Sequence, residues 1–573
     1  MRLESKLTNT LPDGIVRLLK HRGIDDINDF LSEDLKTLPD LTSLKDLSVA
    51  SKRIIQAIEK NEKIAVYGDY DVDGTTSCAL LFHFFQSLGI KIKCIQPSRF
   101  IEGYGIHPPT VDQAIEDQIK VLITVDCGIT NNETADYALE RGLDLIITDH
   151  HKDARDEMPN AFAVINPNRR DEDLNSPLTA LAGVTVAFCL CWQLKIDLEK
   201  KHQEVSSLYP LLQFVAIGTI CDLAKLNSMN LKLCRHGLKQ IPNTTFEGIK
   251  TFFPPEERRT GFIPGDKIGF TVGPMINSKG RLEHPEVALK LLISDDINQA
   301  FGYYSQLEIS NNERKLIQKE VFDEAIIEVE QLVKSMDSEL KFTMVYQPHW
   351  HEGVIGIVAS KLVDAYKVPS LVFTNSSDEG IIKASIRSAG TLNIFDCLND
   401  CKDLFIKFGG HKAAAGLSMS QENFPILLKN LNKQLTNIPE IIRKNQRRVD
   451  IDLSPKEVTP GFVKWLEKLG PYSIGNEVPI FRIKGLTLKS FDILKDIHVR
   501  WNFESAAGDK VFLKGISFNY IGKNGVHDPE FIFEQQNIKT NELCVYCSIG
   551  INRWKGREYI QLMINEVTLS PFE

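Results

Sequence analysis

Three short, unbroken apolar runs, each ending in an acidic cluster, constrain this chain more than any other feature. Lys63-Ile64-Ala65-Val66-Tyr67 stops at Gly68 and opens into Asp69-Tyr70-Asp71-Val72-Asp73-Gly74-Thr75-Thr76. Val121 to Val125 runs into Asp126-Cys127-Gly128, and Leu143 to Thr148 into Asp149-His150-His151. Helical sequence from Thr75 to Leu88 and a further strand-like stretch from Ile90 to Ile95 follow the first cluster. Continuous apolar strands alternating with helices predict a parallel sheet covered on both faces. Ligands of such sheets bind outside the carboxyl ends of the strands, so the clusters are expected to converge there. A fourth apolar run, Phe214 to Ile220, reads as one more strand end and would bring Asp222 to the same place.

Carboxylates gathered this closely raise one another's pKa unless a cation compensates. Carboxylate and imidazole donors without thiolate suit Mn²⁺ or Mg²⁺. Two such ions can clamp a phosphate, lower the pKa of water and stabilise a leaving oxygen. For any one cluster the plain alternative is an Asx turn or helix cap, and Asp73 ahead of Gly74-Thr75-Thr76 fits an N-cap. Four clusters together favour the metal reading. Asp69, Asp71 and Asp73 have the one-three-five spacing of an EF-hand, but the twelfth position is Leu80 and a strand precedes the loop,. No Gly-Lys-Ser/Thr follows Gly68 and Gly74, which excludes a Walker loop.

At 573 residues the chain exceeds a single core, and about four units are expected. Hydrophobic residues at 43% and charged residues at 25% are those of a globular protein,. The formal charge of −9 excludes a generally basic nucleic-acid coat but not a local basic groove,. No apolar stretch approaches the ~18 residues of a membrane span, and the N-terminus shows no signal-peptide core. Eleven scattered cysteines predict reduced thiols and a cytoplasmic location,. Cys544 and Cys547 have metal-ligand spacing, yet their strand-like setting reads as buried thiols. The expected organisation is a helical segment over 1–48, a catalytic α/β domain over 49–295 and a connecting helix over 296–338. A second α/β lobe over 339–443 and a C-terminal β-barrel over 444–573 complete it. Candidate barrel strands lie near Phe481–Leu488, His498–Phe503, Val511–Phe518, Leu543–Ile551 and Tyr559–Val567,.

In order, Asp71-Val72-Asp73-Gly74, Asp126-Cys127-Gly128, Asp149-His150-His151 and Gly218-Thr219-Ile220-Cys221-Asp222 resemble the motifs of the DHH phosphoesterase superfamily. Gly409-Gly410-His411-Lys412-Ala413-Ala414-Ala415-Gly416 resembles the signature of its DHHA1 domain. Arg99-Phe100-Ile101-Glu102-Gly103-Tyr104-Gly105, the stretch Trp350 to Ser360 and Gly475-Asn476-Glu477-Val478-Pro479 narrow the resemblance to the RecJ family of single-strand-specific 5′-to-3′ DNA exonucleases. The resemblance implies that Asp71, Asp73, Asp126, His150 and Asp222 hold two metal ions, with Asp126 bridging and Asp69 in the same acidic loop. His151 would face the scissile phosphate. Arg99, Arg281 and Arg387, with Ser385, would form a 5′-phosphate pocket, and His411 would approach the DNA backbone. Lys225, Cys221, Met275 and Ser278-Lys279 depart from the family pattern, whereas Asn277, Gly280 and Arg281 keep it.

The barrel resembles an OB fold, with Trp501, Phe503, Phe518, Tyr520, Arg553, Trp554, Lys555 and Arg557 as candidates for single-strand contact. Most aromatics of a small barrel are core, and Trp554 is the best stacking candidate. The basic run Arg443 to Arg448 fits a DNA-facing patch and a solvated linker equally. The family further implies release of mononucleotides, action in repair and recombination, a monomer, and work beside a RecQ-type helicase and a single-strand-binding protein. A phosphodiesterase for short oligonucleotides or cyclic dinucleotides and a non-catalytic single-strand-binding scaffold stay open as rival readings.

Overall fold

The computed structural model describes residues 11–98, 102–152, 157–335, 340–444, 447–495, 497–518, 520, 541–554 and 557–569. The chain divides into two compact units, Met1–Glu308 with Val449–Glu573, and Ile309–Arg448. Arg99 and Lys555 lie outside the described residues.

The first unit opens with helices α1 (Asp13–His21) and α2 (Leu47–Glu59). Its parallel sheet is built from β1 (Lys63–Gly68), β2 (Lys93–Ile95), β3 (Ile119–Val125), β4 (Asp144–Thr148) and β5 (Ala163–Ile165), in the order β2-β1-β3-β4-β5. The strands are apolar throughout because both faces are covered. Ile64, Val66, Ile123 and Val125 pack toward Phe84, Phe85, Val184 and Ile217. Ala65, Tyr67, Leu122 and Ile147 pack on the other face with Ile106, Val111 and Ala138. In this strand order the chain reverses direction between β1 and β3, leaving a crevice at their carboxyl ends where ligands of such sheets bind. The acidic loops after β1 and β3 flank that crevice.

Helices α3 (Val72–Ser87), α4 (Gly183–Lys200), α5 (Leu212–Cys221), α6 (Ser228–Gln240) and α7 (Gly273–Leu282) complete this part. Helix α5 corrects the sequence reading: Phe214–Ile220 is not a strand, and Asp222 caps the carboxyl end of a helix. A fully buried helix is apolar on every side, so periodicity cannot separate it from a buried strand.

Helix α8 (Ile297–Ser335) runs 39 residues from the first unit into the second. The second unit contains β6 (Thr343–Tyr346), β7 (Ser370–Asn375), β8 (Ile381–Arg387), β9 (Phe405–His411) and β10 (Ala414–Ser420), ordered β6-β7-β8-β10-β9. Only the β6–β7 pair is parallel. Helix α9 (Glu352–Tyr366) shares one core with Val345 and Val372, while α10 (Phe424–Thr436) places Leu427, Leu431 and Leu435 against Ile382, Ala384 and Ile386 on the opposite face.

The chain then returns to the first unit as β11 (Ile451–Leu453), helix α11 (Pro460–Leu469), β12 (Phe481–Leu494), β13 (His498–Ser505), β14 (Phe512–Ser517), β15 (Leu543–Trp554) and β16 (Arg557–Leu569). The order β12-β13-β14-β16-β15 closes through β12–β15 pairing, with Phe481 opposite Cys547. Closure removes the exposed strand edges. Trp501, Phe503 and Tyr520 are buried in this barrel and so are core, while Phe518 is exposed. Arg553 is held by Glu467 and Glu558. Arg443, in the basic run, is buried rather than solvated.

Helix α1 packs its Ile15, Leu18 and Leu19 into the barrel core beside Phe462 and Val463 of α11. Helix α1 thus serves the barrel and α2 the parallel sheet. Buried Arg235 of α6 ties the parts together, donating to the carbonyls of Phe30 (2.6 Å), Gly470 (2.9 Å) and Leu469 (3.1 Å). Lys232, one turn earlier, reaches Asp29 at 2.5 Å and Thr37 at 2.7 Å.

Candidate metal centre

The β1 loop turns sharply into α3. Asp71 is the N-cap, its Oδ1 accepting from the amides of Asp73 (2.8 Å) and Gly74 (3.1 Å). A Cβ at Gly74 would fall 2.4 Å from the Asp69 carbonyl oxygen, so only glycine permits the turn,. Asp73 is therefore not the cap that its sequence context suggests. Its carboxylate crosses to α4 and accepts from the amides of Gly183 (2.6 Å) and Val184 (2.9 Å). The positive end of that helix holds the charge in a fully buried position,.

Asp126 follows β3 with φ of 61°, a left-handed backbone that Asp tolerates better than most residues,. Gly183 lies directly beneath it: a Cβ there would come within 2.8 Å of Asp126 Cβ and Oδ1. His150 Nε2 is 3.1 Å from Asp126 Oδ1, 3.8 Å from Asp73 Oδ2 and 3.8 Å from Asp222 Oδ2. Three overlapping donor groups result: Asp69, Asp71 and Asp126; Asp73, His150 and Asp222; Asp126, His150 and His151, each with its ligand atoms within 4.8 Å.

The second histidine is held differently. Its Nδ1 lies 2.8 Å from Asp149 Oδ1 and 3.0 Å from the Tyr104 hydroxyl. Asp149 is fully buried and also accepts from the amides of Ile129, His150 and His151. It orients the loop and is not one of the clustered donors. Asn166 and Asn168 anchor the same loop by donating to the carbonyls of His151 (2.9 Å) and His150 (2.6 Å).

Electrostatics follow from this crowding. Burial and the Asp71 charge push the Asp73 carboxyl up to about 7. Burial with Asp73 and Asp71 takes Asp222 up to about 9, and burial with all four acidic neighbours drives Asp126 well above the ordinary range. Burial and the neighbouring His151 push His150 down to about 4, leaving a neutral imidazole suited to ligation,. For His151 burial opposes the charge, but the hydrogen bond to Asp149 together with the charges of Asp149, Asp222 and Asp71 outweighs it and raises the ring to about 9. Burial pushes the Cys221 thiol up and disfavours the thiolate,.

Asp126 Oδ1 and His150 Nε2 are buried and make no hydrogen bond among the described residues. Buried polar atoms are normally satisfied, so this pair marks a missing partner. Oxygen donors with one neutral imidazole and mutually raised carboxyls fit hard divalent cations.

A cavity of about 390 Å³ opens over the cluster, lined by Asp69, Tyr70, Asp71, Tyr104, His151, Cys221, Asp222, Asn277, Gly280 and Arg281. Thus Arg281 joins the acidic residues. Ser385, Arg387 and His411 sit together on the sheet of the second unit: Ala414 pairs with both Arg387 and His411, and Arg387 Nη1 donates to Ser385 Oγ at 3.1 Å.

Family models match residues 63–219 as the DHH family N-terminal domain, 339–437 as the DHHA1 domain and 449–566 as the RecJ OB domain. The single-stranded-DNA-specific exonuclease RecJ of Dickeya dadantii is 31% identical, covering 98% of this chain and 97% of its own. That of Escherichia coli is 30% identical, covering 97% and 96%. The chain belongs to the RecJ family. A crystal structure of Thermus thermophilus RecJ in complex with Mn²⁺ superposes with a TM-score of 0.77 at 25% identity, covering 97% of this chain and 76% of that one.

Departures from the RecJ pattern sit behind the site. Lys225 packs its stem against Gly475, whose φ of 83° shapes the loop that also accepts the Leu226 amide at Ile474. Met275 and Ser278 are buried, Ser278 Oγ donating to the Met275 and Leu307 carbonyls, and Lys279 pairs with Glu283. Cys221 alone reaches the cavity. Sequence reasoning missed Tyr104, Gly183 and the two asparagines. Tyr104 carried a signal in Gly103-Tyr104-Gly105; Gly183, 57 residues beyond Asp126, carried none.

Proposed function

We propose that this chain is a single-strand-specific DNA exonuclease that hydrolyses phosphodiester bonds from the 5′ end and releases mononucleotides, using two divalent cations, Mn²⁺ or Mg²⁺. The observation that carries this reading is the unsatisfied Asp126–His150 pair among crowded carboxylates at the switch point of a RecJ-family sheet. Asp71, Asp73, Asp126, His150 and Asp222 would hold the ions, Asp126 between them and Asp69 beside them. Once bound, the ions supply water activation and charge for the attacking and leaving oxygens.

The protein's own groups do the rest. Asp149 and Tyr104 take up Nδ1 of His151, which leaves Nε2 to donate to the scissile phosphate. The charge that Asp149 maintains on the ring favours the developing negative charge. Arg281 in the cavity offers a planar fork for phosphate oxygens. By family resemblance Ser385 and Arg387 would take the terminal 5′-phosphate, and His411 the backbone. A cytoplasmic monomer acting in repair and recombination beside a RecQ-type helicase and single-strand-binding protein follows from family resemblance.

Substrate competition tests the proposal. With Mn²⁺, a long 5′-phosphorylated single strand should be degraded and the matching duplex spared. Rapid hydrolysis of a short oligonucleotide or cyclic dinucleotide with the long strand left intact would contradict it.

A further inference from the structure

Register in the second sheet fixes which side chains share a face, because paired residues project together and alternate along each strand. Arg387, Ala414 and His411 form one row across β8, β10 and β9. Ser385, Gly416 and Gly409 form the next, and Lys383, Ser418 and Lys407 the third. The intervening Ile382, Ala384, Ile386, Leu417 and Met419 are buried on the opposite face. One wall of the strip is the start of α9, where Glu352 pairs with Lys383 and where a Cβ at Gly356 would approach Ser385 Oγ to 2.9 Å.

The strip is cationic and open. Lys407 is exposed and makes no ion pair among the described residues, and Gly409, His411 and Gly416 are exposed beside it. Glycine inside a strand costs stability, yet the fold requires it at neither 409 nor 416. A Cβ at 409 would meet nothing within 4 Å, and one at 416 only the Ala384 carbonyl at 3.7 Å. Neither residue has a positive φ. Open space flanked by Lys407, His411 and Arg387 suits an anion. Four residues separate the first and third rows, about 13 Å of strand, a reach that spans successive phosphates of an extended polynucleotide.

We propose that Lys407, with Lys383 and Ser418 in its row, is a further contact for the backbone of single-stranded DNA, continuing the line begun by Arg387 and His411. This rests on the function proposed above.

The test measures binding and KM of the full chain with a long single strand over a range of salt concentrations. Lys407→Gln should raise KM several-fold and reduce the salt slope of binding by about 0.7, the value for one phosphate contact on a single strand. Gly409→Val should weaken binding while leaving the melting temperature unchanged. Lys429→Gln, on α10 across the sheet, should keep the wild-type slope. Wild-type affinity and slope in both Lys407→Gln and Gly409→Val would overturn the contact, as would an equal loss in Lys429→Gln. A wild-type protein that neither binds nor cuts single strands would instead overturn the proposed function, and this row with it.

Discussion

His150 Nε2 and Asp126 Oδ1 lie 3.1 Å apart, both buried, and neither forms a hydrogen bond among the described residues. Burial keeps the imidazole neutral, and burial with the acidic neighbours raises the Asp126 carboxyl. Both become good partners for a shared cation. The protein thus keeps a costly polar arrangement at the crevice between β1 and β3, where a bound ion would relieve it.

This arrangement makes stability dependent on pH in a definite direction. Carboxyls raised in the folded state bind protons that the unfolded chain loses above about pH 4. Stability of the chelator-treated protein should therefore fall as pH rises, through about 7 for Asp73 and about 9 for Asp222,. Thermal melts across that range should show the decline, and Mn²⁺ should abolish it. Asp222→Asn should raise the melting temperature of the metal-free protein at alkaline pH while eliminating cleavage. A lower melting temperature would show that the repulsion is not there.

Asp149 and Tyr104 share Nδ1 of His151 but contribute unequally. Removing His151 should lower kcat by about 10²–10⁴-fold, the range for a positioned proton donor. Asp149→Asn should approach that loss, since Asp149 both orients the ring and keeps it charged. Tyr104→Phe removes one hydrogen bond to the charged ring, of about 1.5 kcal/mol, hence about 10-fold. Steady-state rates with Mn²⁺ in excess would rank the three, and an effect of Tyr104→Phe equal to that of Asp149→Asn would contradict the assignment.

Gly183 touches no substrate in this account, yet its substitution should be severe. The added Cβ of Gly183→Ala would meet Asp126 at 2.8 Å and displace a carboxylate shared by two of the three donor groups. A displacement of that order should cost about 10²-fold in rate. Calorimetry should show weakened Mn²⁺ binding in parallel; a slow variant with wild-type metal affinity would place the effect elsewhere.

Arg235 joins the barrel, the N-terminal helices and α6 through three backbone carbonyls. Arg235→Ala should lose about 2–4 kcal/mol of stability by leaving those carbonyls unsatisfied. Thermal unfolding would show it, and proteolysis should open the 22–38 segment earlier than in the wild type.

Local sequence revealed more of the active-site loops than of their supports. Asp71, Asp126 and His150 follow the ends of apolar strands, so pattern alone brings them to one edge of a sheet. Asp222 was found although its preceding run was misread, because a buried helix and a buried strand share the same unbroken apolar signal. Local sequence makes a helix cap the plain alternative for Asp73 because its partners, the amides of Gly183 and Val184, are more than a hundred residues away. The same distance hid Gly183 itself. In the barrel, alternation located the strands, but only packing separates buried Trp501 from exposed Phe518.

End-labelled single-stranded DNA tests the central claim most directly. With Mn²⁺ and one sample labelled at the 5′ end, another at the 3′ end, the account predicts immediate release of 5′-labelled mononucleotide while the 3′-labelled strand shortens progressively. It predicts neither product from Asp126→Asn. Release of the 3′ label first, or unchanged cleavage by Asp126→Asn, would contradict it.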